Sequence, residues 1–234
     1  MNEFGETFGK LMLPTEPGTV EAALTRVNTA ETIFMIVFVV LAILFLKNFI
    51  NILPYVLGSV TRQRMASEIE GSVRMTRDRN FVAAIFIIPF CLILNRYDIY
   101  SPAFLDSLGP GTRLLVVTAI FIAFLLVRLL IALLLRATRI RPNAYSSARR
   151  ICYTIFIAAM VLMLLTLGPL VLFRAPGSAI RIVLIVEMAL SYLILLLRRA
   201  QILSPYCNPF SLFLYLCALE LLPTGLYIAS AVVF

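Results

Sequence analysis

Six stretches of this chain are too apolar to face water, and that alone rules out most folds. The plainest runs from Ile33 to Leu46 without a polar side chain. A helix that is hydrophobic all round must be covered by lipid or by other protein. The six stretches lie at about residues 33–53, 81–94, 114–135, 151–173, 180–197 and 210–232. A hydrocarbon core of ~30 Å takes about 20 helical residues. The pattern therefore predicts an all-α, polytopic membrane bundle of six transmembrane helices over residues 32–234, preceded by a tail over residues 1–31. Composition agrees: 62% of residues are apolar and 14% charged, where a soluble domain has roughly 45–50% and 25%. Six spans leave no room for a separate soluble domain.

The net charge is +8. Its distribution argues against nucleic acid as a partner, because the arginines sit beside the apolar runs, as they do when they orient membrane helices. Lysine and arginine in successive non-membrane segments number 2, 5, 2, 5, 2, 2 and 0; the second, fourth and sixth segments hold twelve and the rest six. The positive-inside bias then predicts N-out and C-out, with three basic loops in the cytoplasm. It also favours a full crossing by the short run Phe81–Leu94. Fourteen residues reach only ~21 Å, so re-entry is the alternative there. Each helix returning outward carries a proline (Pro89, Pro169, Pro223), a pattern open to reading as a repeat of hairpins.

Two amphipathic features flank the first span. Thr19 is a candidate N-cap for a short helix over Val20–Asn28. In Val60–Arg79, Met65, Ile69 and Val73 recur every four residues, which predicts a helix lying on the lipid surface with Arg62, Arg64, Arg74 and Arg77 among the headgroups. The acidic first 31 residues have no basic region leading into a short apolar run, so no cleavable signal peptide is expected.

The chain has no histidine and four cysteines, Cys91, Cys152, Cys207 and Cys217, in no C-x-x-C pair. Neither a metal nor another cofactor is expected from these residues. What remains for chemistry is a set of charges inside the apolar runs. Glu187 lies ~15 Å from the inner end of the fifth run, and Glu220 lies ~16 Å past Pro209 in the sixth. Arg128 lies ~10 Å from the end of the third, and Lys47 roughly ~9 Å from the inner boundary of the first. Ionisable groups at such depth are expensive and are functional candidates by default. One reading is structural: the four side chains form buried ion pairs that fix helix packing, Lys47 and Arg128 alternatively reaching to headgroups. A second is a proton- or cation-linked pathway carried by Glu187 and Glu220, with Asn48, Asn51, Tyr192 and Tyr215 along it. A third is a carboxylate dyad acting on lipid, although no nucleophile or metal set accompanies it.

The closing run Phe213-Leu-Tyr-Leu-Cys-Ala-Leu-Glu-Leu-Leu-Pro223 resembles the C-terminal signature of a family of bacterial polytopic inner-membrane proteins known as a domain of unknown function. The resemblance extends to length, hydropathy and basic loops. It implies a bacterial inner membrane and assigns no activity, cofactor or residue role. Lacking catalytic and nucleotide motifs, the chain reads as a non-enzymatic scaffold or accessory subunit, with membrane lipids and a membrane protein as partners. The alternatives are a small-solute or ion transporter, or an intramembrane lipid-acting enzyme.

Overall fold

The structure is a computed structural model in which residues 29–61, 73–105, 108–134, 142–206 and 208–233 are described. The expected helix over Val20–Asn28, the middle of the expected surface helix at Val60–Arg79, and residues 135–141 lie outside those residues. The described elements are α1 (Thr29–Leu44), α2 (Leu46–Thr61), α3 (Val73–Arg96), α4 (Pro110–Leu134), α5 (Pro142–Leu172), α6 (Gly177–Leu203), α7 (Pro209–Leu216), a π-helical turn (Cys217–Leu221) and α8 (Leu222–Val233). Short 3-10 turns occupy Ala103–Leu105 and Ser204–Tyr206. There is no strand among the described residues. In hydrocarbon each N–H and C=O must be satisfied within its own segment, and a helix does that.

Five segments are long and apolar enough to cross a membrane: α3, α4, α5, α6 and the run α7–π–α8. A sixth exists if α1 and α2 count as one span, but these two meet at 79°. The first apolar stretch is therefore not the straight helix expected over residues 33–53. The break at Phe45 contains neither glycine nor proline. It falls where the sequence turns from wholly apolar to Lys47-Asn48. By turning there, α2 packs Ile52 and Val56 into the core against α3 and α5 and leaves Lys47, Asn51 and Pro54 exposed. The stretch after the first apolar run, residues 46–61, is thus itself a helix with one face in the core.

The shortest apolar run became the central helix. α3 starts at Val73, and its 24 residues span ~36 Å. It packs against α1, α2, α4 and α5. Half of its apolar window is buried, against 17–22% for the other four spans. The helix also takes in the polar start Arg74–Asn80, of which Arg79 is buried while Arg74, Arg77 and Asn80 are exposed. α5 likewise begins nine residues before the expected Ile151, at Pro142, because proline's fixed φ and missing N–H are tolerated in a first helical turn.

Phenylalanines register α1 on α3 antiparallel: Phe38 lies 6.4 Å from Phe86 and Phe45 6.0 Å from Phe81, centroid to centroid. At the start of α1, Glu31 accepts a hydrogen bond from the Asn95 amide at 3.1 Å and pairs with Arg96 at 3.8 Å. The main core joins Ile52, Val56, Val82, Phe86, Ile157 and Leu184 from α2, α3, α5 and α6. Outside it, large side chains such as Leu165, Leu172 and Phe210 are exposed, as a lipid-facing surface requires.

Candidate functional site: a buried arginine–glutamate–arginine node

Glu220 sits in the π turn, and the sequence Glu220-Leu221-Leu222-Pro223 explains why that turn is there. Pro223 has no N–H to donate, and in a regular α-helix its ring would press on the carbonyl of Leu219. The chain widens instead, and the Leu222 N–H bonds five residues back to the Cys217 carbonyl. Such single π turns recur at functional sites. Here the turn buries two consecutive residues, Leu219 and Glu220.

Glu220 is fully buried. Its Oε1 accepts from Nη1 of Arg199 on α6, and its Oε2 accepts from Nη2 of Arg128 on α4. One carboxylate therefore ties three helical segments together. Arg199 is itself buried, whereas the side chain of Arg128 keeps 16% of its surface. Both hydrogen bonds are charge-assisted, the stronger kind. They lie in a region of low dielectric, where each charge depends on the others to be tolerated.

The structure brings Arg128 and Glu220 together and leaves the other two sequence candidates apart. Lys47 is exposed on α2, just past the bend. Glu187 is half-buried on α6 and accepts a hydrogen bond from the Thr166 hydroxyl of α5 at 3.0 Å; that hydroxyl also lies 3.1 Å from the Met163 carbonyl. Glu187 is twelve residues from Arg199, about 18 Å along α6, more than an arginine side chain takes up. The two glutamates are therefore not level with each other, and they form no dyad. Of the residues expected beside them, Asn48 is half-buried and Asn51 exposed on α2. Tyr215 is half-buried in α7, and the Tyr192 hydroxyl is buried without a hydrogen-bond partner among the described residues.

Two arginines counted as loop residues are buried instead. Arg199 falls within α6 because that helix runs six residues beyond the expected Leu197. The signal was helical spacing: Leu195, Arg199 and Leu203 are each four apart, and all three are buried. Arg79 extends the buried face of α3 that continues through Val82, Ala83 and Phe86. Its guanidinium stands 5.8 Å from the centre of the Tyr153 ring and donates to Asn80 Oδ1 at 3.3 Å.

A second, uncharged node joins α4 and α8 nearer their other ends. Tyr100, in the α3–α4 connection, stacks on Tyr227 with centroids 4.7 Å apart, and its hydroxyl pairs with Ser230 Oγ at 3.0 Å. Phe124 of α4 lies 5.0 Å from Tyr227. The connection is held by an ion pair of Arg113 with Asp98 and by the buried Leu105. Asp98 adopts a positive φ of 49°, which aspartate tolerates better than most residues.

Among the described residues, no three His, Cys, Asp or Glu side chains gather where they would hold a metal. Compared with known proteins, the chain matches no family model, no curated protein and no solved structure.

Proposed function

We propose that this chain is a non-enzymatic scaffold or accessory subunit of a membrane complex, in a bacterial inner membrane, with both termini outside. The observation that supports the reading is the state of Glu220. Both of its oxygens are taken by guanidinium groups from two other segments, and no part of the residue is accessible. A carrier must release one partner to take up its cargo; a carboxylate held this way serves as a lock. The peripheral α1 adds to the case. None of its residues is buried, and Ile36, Val40, Ile43 and Leu44 are exposed along it, which suits a helix that meets a partner within the membrane. Purification in mild detergent at native expression is the test. A second membrane protein in fixed ratio is expected; a lone, monodisperse monomer overturns the proposal.

Transport through Glu187 is the second reading, favoured by that half-buried carboxylate beside the Thr166 hydroxyl. It requires that Glu187→Gln abolish solute or ion flux in proteoliposomes while the protein stays folded.

A further inference from the structure

Among the described residues the node joins two guanidinium groups to one carboxylate, and both oxygens of that carboxylate are taken. Glu220 Oε1 is occupied by Arg199 and Oε2 by Arg128. A guanidinium has five N–H donors, and among the described residues Arg128 meets Glu220 with Nη2. Arg128 is also the more open of the two cations, with 16% of its side-chain surface accessible against 4% for Arg199. Its position makes that opening expensive. It lies six residues, about 9 Å, inside the end of α4 at Leu134, where water is scarce and an incompletely compensated cation draws in an anion.

The surroundings select the anion. α4 packs against the π turn and α8, while α7, the continuation below Glu220, packs against α6. Beyond Arg128, α4 carries exposed Leu129, Leu130 and Leu133, and α7 carries exposed Phe210, Phe213 and Leu214. A free inorganic ion has no use for those apolar walls; an acyl chain does. The same end of the bundle carries Arg74 and Arg77 in the first turns of α3, Arg150 in the first third of α5 and Arg198 near the end of α6, a collection that attracts anionic headgroups. We propose that the phosphate of an anionic phospholipid binds the open edge of Arg128 beside Glu220, with its acyl chains along the apolar sides of α4 and α7. The lipid supplies a negative charge at the open edge of Arg128.

The test uses the full chain, purified in mild detergent and then delipidated, and reads its melting temperature. Phosphatidylglycerol in mixed micelles at saturation is expected to raise it by about 5 °C; phosphatidylcholine or inorganic phosphate leaves it unchanged. Arg128→Gln keeps the Arg199–Glu220 pair and abolishes the shift, whereas Arg128→Lys retains it. Glu220→Gln leaves two cations facing one site and enlarges the preference for phosphatidylglycerol. Should these variants fail to fold, lipid extracted from the unmodified protein carries the test: anionic phospholipid must be enriched over its share in the source membrane. Equal stabilisation by phosphatidylcholine, a full effect of inorganic phosphate alone, or an undiminished shift in Arg128→Gln overturns the site. So does indifference to every lipid, the outcome expected if a partner protein's carboxylate occupies it. None of these results depends on whether the chain is an accessory subunit, which co-purification decides separately.

Discussion

The last membrane segment is attached to α4 at two places seven residues apart, and the two attachments work by different physics. At Glu220 the link is an ion triad among α4, α6 and the π turn. At Tyr227, about 10 Å along, it is a set of stacked rings with one hydroxyl pair to Ser230. Neutral contacts lose little when one is trimmed, since each ring keeps its other neighbours. The charged node has no such tolerance. Removing Glu220 strands two guanidinium groups in a medium that solvates them poorly, whereas removing either arginine leaves a single ion pair.

That contrast sets an order of expected effects. Glu220→Ala strands two guanidinium groups and should cost about 3–5 kcal/mol, read as loss of the folded species in thermal or denaturant unfolding in detergent. A loss no larger than that of an ordinary surface substitution would dissolve the distinction between the nodes. Arg199→Gln should rank next and exceed Arg128→Gln, because Arg199 is the more deeply buried of the two. At the neutral node, Tyr100→Phe removes one hydroxyl pair and should cost about 0.6 kcal/mol, the usual size of a hydrogen bond between membrane helices. Smallest of all is Tyr227→Phe. The Tyr227 hydroxyl is buried with no hydrogen-bond partner among the described residues, so its removal should leave the melting temperature level or slightly higher. One composite change sharpens the comparison further. Replacing Arg128, Arg199 and Glu220 together with Leu, Met and Leu should be far milder than Glu220→Ala, and near neutral if packing is kept. Destabilisation equal to that of the single mutant would mean that the triad contributes net stability rather than fixing which helices pair.

Much of the architecture was legible in the apolar runs, and the errors have specific causes. Phe81–Leu94 is short because hydropathy marks only the apolar part of its helix; α3 begins eight residues earlier and takes in exposed Arg74, Arg77 and Asn80 and buried Arg79. The pairing of Glu220 with Arg128 follows from counting residues along two antiparallel runs. The same counting put Glu187 beside them, because it assumed that the fifth helix ended at Leu197. The helix continues to Leu203, which carries Arg199 into the bundle and leaves Glu187 a long way up the helix. Lys47 was counted along a straight first span; the bend at Phe45 moved it out to the surface.

The sequence by itself determined that this chain is helical, that several of its stretches are apolar enough to cross a membrane and which of them carry charge. Those properties follow from local composition and from the demand that every backbone group in hydrocarbon find a partner nearby in the chain. Tertiary structure alone decided which charges meet, where α1 turns into α2, and that the least apolar span lies at the centre. The rotation, tilt and bending of a helix are settled by what packs against it, and a residue count along one helix holds no information about its neighbours.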